Sequence, residues 1–118
     1  MEHPLPACDA HEHQPAAAIR ERLLDPVASQ RAADIFRALG DGSRLRLLAL
    51  MLGGEMCVSE IATALDDSLP AVSQRLKLLK NERIVSSRRA GKHVIYSLAD
   101  QHITVLISNA LAHAAEHT

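Results

Sequence analysis

The feature that most limits what this chain can fold into is a change of hydrophobic period at Asn81-Glu82-Arg83. Before it, Val72, Leu76 and Leu79 recur at i, i+4 and i+7, the spacing of one helical face. After it, Ile84-Val85-Ser86-Ser87-Arg88-Arg89 and Lys92-His93-Val94-Ile95-Tyr96-Ser97-Leu98 flank Ala90-Gly91, a strand–turn–strand pattern that reads as a β-hairpin. An amphipathic helix feeding directly into a short hairpin leaves few architectures open.

The residues just upstream narrow them further. Val58 to Leu65 reads as a short helix with Ile61, Ala62 and Leu65 inward, followed by an Asp66-Asp67-Ser68 turn. Ser68 is placed to cap the next helix, Leu69 to Lys80, with Pro70 in a first turn that needs no N–H from it. Its outward residues are Ser73, Gln74 and Lys77. A short helix, a tight polar turn and a second helix make a helix-turn-helix, and the hairpin after it is a wing. The expected fold class is mostly α with a small β-hairpin, a winged helix-turn-helix.

Three further helices are expected before this unit. They are Ala16–Leu24, ended by Asp25-Pro26; Val27–Leu39, with an apolar stripe at Val27, Ala28, Ala32, Ile35, Phe36 and Leu39; and Ser43–Leu52, capped by Asp41. Leu45, Leu48, Ala49 and Leu52 share one side of the third, and all three read as core-forming. With no Trp, one Tyr and one Phe, the core must be aliphatic, which suits packed helices. At 118 residues one core is expected, comprising 16–118. Residues 1–15 hold three of the five prolines and three of the seven histidines without periodicity, and read as a tail. Its Cys8, His11 and His13 are concentrated metal-ligand types. No apolar run reaches membrane-spanning length and no signal peptide is evident, so the expected location is the cytoplasm, with Cys8 and Cys57 reduced.

Net charge is −1, yet the charge is segregated. Arg75, Lys77, Lys80, Arg83, Arg88, Arg89 and Lys92 face a single acid, Glu82, while the other 100 residues carry six Lys and Arg against thirteen Asp and Glu. Such a surplus on the second helix and hairpin tip suits a phosphate-binding face for double-stranded DNA. Ser73, Gln74 and Lys77 are the candidates for base edges, since Gln pairs with adenine and Lys with guanine in the major groove. Arg88, Arg89 and Lys92 suit contacts that position rather than specify. Ser68, Arg75 and Lys80 complete the expected DNA-facing set.

The last helix carries a different chemistry. Asp100 and His102 open it, His113 and Glu116 close it, and Ile103, Val105, Leu106, Ile107, Ala110 and Leu111 lie between. At ~100° and ~1.5 Å per residue, His102 and His113 share a face to within roughly 20° but stand about 16 Å apart. One metal ion, at about 2 Å from each imidazole, cannot touch both. These are two half-sites that become whole only if a second copy of the helix lies antiparallel. The plainer reading makes Asp100 an N-cap and the histidines solvated. His113-Ala-Ala-Glu116-His117 also matches the H-x-x-E-H of a metalloprotease class, but the chain supplies no third ligand or enclosed pocket, so no enzyme is expected.

Five stretches together resemble the ArsR/SmtB metal-sensing repressors, from about residue 28 onward: Leu39-Gly-Asp-Gly-Ser-Arg-Leu-Arg-Leu-Leu48, Glu55-Met-Cys-Val-Ser-Glu-Ile-Ala62, Ala71-Val-Ser-Gln-Arg-Leu-Lys-Leu-Leu79, Gly91-Lys-His-Val-Ile-Tyr96 and Asp100-x-His102-x10-His113-x2-Glu116. The resemblance implies a homodimer joined through its terminal helices that holds operator DNA when metal-free and releases it on binding metal. It implies a zinc site made of Asp100 and His102 from one protomer and His113 and Glu116 from the other, with His117 an alternative to Glu116. It implies a second site of Cys57 and Glu60 with Cys8 and His11 or His13 from the tail. It further suggests that the His113 ring reaches a backbone carbonyl near Arg83. Two departures stand out: Gly42 replaces the usual Pro, and Cys57-Val-Ser has one thiol. A thiolate-poor donor set suits zinc, with cobalt as a mimic, better than a dedicated cadmium, lead or arsenic sensor, although cadmium and lead remain possible ions. The implied targets are efflux or storage genes, and no small organic substrate is expected. The competing reading keeps the winged helix but makes it respond to Cys57 oxidation or to a partner protein. His93 is expected to serve structure or phosphate contact.

Overall fold

The computed structural model describes residues 12–23 and 25–116. Six helices and three strands follow in order: α1 (Ala16–Arg20), α2 (Pro26–Leu39), α3 (Gly42–Leu50), β1 (Met56–Cys57), α4 (Val58–Leu65), α5 (Leu69–Asn81), β2 (Val85–Ala90), β3 (His93–Leu98) and α6 (Gln101–Ala115). A single 3-10 turn, Met51–Gly53, extends α3.

The helices start where side chains satisfy their orphan N–H groups. Asp25, Asp41, Ser68 and Asp100 accept from the backbone N–H of Ala28, Arg44, Ala71 and Ile103 at 3.1, 3.1, 3.3 and 3.1 Å. With Asp41 capping it, α3 begins at Gly42 despite the missing proline. In α4 the direction is reversed: Glu60, at its third position, accepts the Cys57 N–H at 3.0 Å.

The core gathers where α3, α4, α5 and α6 meet the sheet. Leu47, Leu48, Ile61, Val72, Leu76, Leu79, Ile84 and Ile107 are its largest fully buried side chains, with Tyr96 the one buried aromatic. The expected inward triplet of α5, Val72, Leu76 and Leu79, is therefore buried as its spacing requires. The α4 boundaries also match the expectation.

The expected hairpin forms and gains a strand, and three other sequence expectations are corrected. The hairpin is not alone: β1 pairs antiparallel with β3, giving a three-stranded sheet in the order β1-β3-β2. Two residues are too few to display a period, so β1 leaves no pattern in the sequence. The α2 stripe meets the core of its own chain only near its C-terminal end, where Ile35 packs against the core and Leu39 is buried beside Ala38, whereas Val27 and Phe36 are 57% and 61% exposed. In α3, Leu47 is as fully buried as Leu48, so this short helix is enclosed on more than the one expected side. Helix α1 also stops at Arg20, short of Leu24. Of the expected tail, 1–11 lie outside the described residues, as do His117 and Thr118. No helix among the described residues is long and apolar enough to cross a membrane.

Candidate nucleic-acid interface and metal-ligand sites

Helices α4 and α5 are joined by a tight turn in which Asp66 takes the left-handed conformation (φ 52°, ψ 49°) and closes α4. Asp67 then accepts the Ser68 N–H at 2.7 Å and the Arg75 guanidinium at 2.7 Å. The turn and α5 are thus tied together by one carboxylate, held below its ordinary pKa first by Arg75 and then by the Ser68 N–H. Along α5, Gln74, Lys77 and Lys80 are exposed, whereas Ser73 and Arg75 are half-buried. Ser68 is committed to the cap. Of the three expected base-reading residues, Gln74 and Lys77 stand clear of the surface and Ser73 is partly covered.

The wing turns at Gly91, whose φ of 62° is costly for a residue with a side chain. Register places Arg88 opposite Ile95 and Arg89 opposite Val94, so the two arginines lie on opposite faces of the sheet. Arg89 and Lys92 are exposed. Arg88 donates from Nε and Nη2 to the two carboxylate oxygens of Glu55 at 2.8 and 3.1 Å, a forked pair that spans β3. The pair lowers the Glu55 pKa and raises that of Arg88.

At the start of α6, Asp100 Oδ1 accepts the Ile103 N–H and lies 3.4 Å from His102 Nδ1. At its end, His113 Nδ1 lies 3.9 Å from Glu116 Oε2. All four side chains are exposed. Each end of the helix therefore brings one imidazole and one carboxylate together, while fifteen residues of helix keep the two ends apart. No group of three or more His, Cys, Asp or Glu suited to a metal occurs among the described residues. Two nitrogens and two carboxylate oxygens drawn from two copies would meet the four-coordinate requirement of zinc, so the donor chemistry fits.

The second expected site is met in part. Cys57, at the junction of β1 and α4, is half-buried with Sγ 3.1 Å from Ser59 Oγ. Glu60 lies beside it, its pKa lowered chiefly by the Cys57 N–H. Cys8 and His11 lie outside the described residues. His13 is exposed and lines a depression with Gln14, Ala16, Ile19 and Arg22. A juxtaposition that sequence distance conceals is that of Cys57 and His93. The β1–β3 pairing sets Cys57 opposite Ile95, two residues from His93 on the same face, and both line one shallow depression with Ser59, Leu69 and Lys92.

Of the large apolar side chains exposed among the described residues, Ile19, Leu23, Val27, Phe36, Val105 and Leu111 lie on and beside α1, α2 and α6, while Leu69 and Leu78 lie on α5.

Comparison with known proteins places this geometry. The family profile described as "Bacterial regulatory protein, arsR family" matches residues 41–87, which run from the α3 cap into the wing. The transcriptional repressor SmtB homolog of Synechocystis sp. is 36% identical over 115 residues, covering 95% of this chain and 86% of its own. The cadmium resistance regulator CadC homolog of Staphylococcus aureus is 40% identical over 85 residues, 71% of this chain and 70% of its own. Among solved structures, a homodimeric winged helix-turn-helix DNA-binding domain from Mycobacterium bovis, 33% identical, superposes with a TM-score of 0.73 over 81% of this chain and 91% of that one.

Proposed function

Because this chain belongs to the ArsR/SmtB family of winged-helix transcriptional repressors, DNA-binding proteins rather than enzymes, we propose that it is a zinc-responsive repressor that holds operator DNA as a metal-free homodimer and releases it when metal binds. The observation that carries the reading is the pairing of one imidazole with one carboxylate at each end of α6, too far apart to serve one ion within a chain. Asp100 and His102 of one protomer and His113 and Glu116 of the other would hold it. When bound, zinc supplies a four-coordinate bridge between the two helices.

The residues divide the work. Val105 and Leu111 of α6, with Phe36 and Val27 of α2, offer apolar surface that a second copy would cover. Gln74 and Lys77 read base edges, while Lys80, Arg89 and Lys92 hold phosphates. Cys57 and Glu60, with Cys8 and His11 or His13, form a lesser second site. Nitrogen and oxygen donors with few thiolates favour zinc and its mimic cobalt over cadmium and lead. The controlled genes would export or store the metal.

A mobility-shift titration on the DNA upstream of its own gene, with zinc, cobalt, cadmium and lead at fixed salt, tests this. Release by zinc and cobalt that is lost in His102→Ala and His113→Ala is expected. Release that persists in both, or that requires an oxidant instead of a metal, would move the response to Cys57.

A further inference from the structure

We propose that Glu55 is a positioning residue of the DNA face: it holds Arg88 as a strut of the wing and removes its charge from the phosphate footprint. The sequence counts Arg88 among the seven clustered cations, but the fold gives it a partner 33 residues away. Both side chains are substantially exposed, 58% and 48%, where a lone ion pair adds little to stability. The consequence of the pair lies in geometry and charge.

The geometry is a fork. Nε and Nη2 of Arg88 are both bonded to Glu55, which sits just before β1, so the contact reaches from one edge of the β1-β3-β2 sheet across β3 to the other. The wing strand is thereby fastened to the segment that opens the helix-turn-helix. The charge follows from the same contact. A guanidinium matched to a carboxylate presents no net charge to a phosphate, and releases no counterion when DNA arrives. Arg89, on the opposite face, and Lys92 at the turn have no such partner among the hydrogen bonds and ion pairs of the described residues, and carry the wing's share of the footprint.

The test is fluorescence anisotropy of the full-length protein on a labelled duplex from upstream of its own gene and on a scrambled duplex, across a salt series. Glu55→Gln keeps the shape and one acceptor oxygen but restores the Arg88 charge. Binding to both duplexes should tighten, and the slope of log K against log salt should steepen by about 0.9 for each protomer on the DNA. The double variant Glu55→Gln/Arg88→Gln removes the pair without changing net charge, and its slope should match wild type. An unchanged or shallower slope in Glu55→Gln overturns the proposal. So does a double variant that loses about 0.9 per protomer, since Arg88 would then be a phosphate ligand in its own right.

Discussion

If the metal site is shared between antiparallel α6 helices, two inactive variants should rescue each other. Let one carry Asp100→Asn/His102→Ala and the other His113→Ala/Glu116→Gln, both in a Cys8→Ser/Cys57→Ser background that removes the second site. Asn at position 100 preserves the cap that now receives the Ile103 N–H at 3.1 Å, so α6 still starts in the same place. Each homodimer then has two sites, and each site lacks half its ligands. In the mixed dimer the losses fall together: one site is stripped of everything, while the other draws Asp100 and His102 from one protomer and His113 and Glu116 from its partner, all intact. After unfolding, equal mixing and refolding, about half the dimers are mixed and each holds one site instead of two, so about a quarter of the wild-type capacity returns. Cobalt absorption, backed by competition with a chromophoric zinc chelator, measures it. No recovery on mixing would refute the argument, as would strong binding by either variant alone. The strength of the test lies in the helix itself: the two half-sites are about 16 Å apart, so no side-chain rearrangement within one chain can imitate the result.

Other consequences are simpler. Gln74→Ala should relax sequence preference with little change in salt slope, whereas Lys92→Ala should weaken all duplexes alike and flatten the slope by about 0.9 per protomer, both read by anisotropy. Val105→Ser, on the exposed side of α6, should raise the dimer dissociation constant in sedimentation equilibrium while leaving the helical circular dichroism of the protomer intact. Leu76→Ala empties a fully buried position on α5 and should cost about 2–5 kcal/mol in urea unfolding. The lowered folded-state pKa of Asp67 makes its contribution fully present above the unfolded carboxylate value and lost as pH falls through the lowered one. Asp67→Asn should therefore unfold at a pH-independent offset at neutral pH and show a shallower loss of midpoint in acid than wild type.

What could be read from the residues follows how locally each feature is encoded. Helix α4 and the α5 triplet Val72, Leu76 and Leu79 were legible because period, cap and turn all agree within about twenty residues. His113 and Glu116 were legible as a pair because i,i+3 spacing brings them together on a helix, and Asp100 and His102 because an extended N-cap residue turns its carboxylate back over the first turn. The rest depends on contacts between distant segments. Strand β1 exists only because β3 lies beside it, so its two residues carry no signal of their own. The Glu55–Arg88 and Cys57–His93 proximities follow from that same pairing and were hidden for the same reason. Phe36 misled in the opposite sense: the α2 stripe is real, but hydrophobic spacing says only that a face wants cover, not whether the cover is the same chain or another.

The position of α6 also bears on how a metal between two protomers could be felt at the DNA. Ile103 and Ile107 fix this helix in the core, where it packs on α3. At its start Ala99, which joins β3 to α6, donates its N–H to the carbonyl of Ile84 at 2.9 Å, the residue that leads from α5 into the wing. Helix α6, helix α5 and the wing are thus fastened within a few residues of one another, and on the proposed reading such ties would make the protomer move as a body. In the proposed dimer the remaining freedom is the placement of one α6 against the other, which is the same variable that sets the spacing of the two reading heads. Turning a population from 1:99 to 99:1 needs a preference of about 10⁴ for the favoured geometry. Two symmetric sites share that demand, so each requires only about a hundredfold. Exposed half-sites on a rigid helix suit that demand, because all of their selectivity comes from how the partner's half-site is presented. A variant that keeps all four ligands but loosens the α6 anchor, Ile107→Ala, should therefore bind zinc nearly as tightly yet release DNA incompletely. Full release by that variant in the mobility-shift titration would mean that the signal does not travel through the body of the protomer.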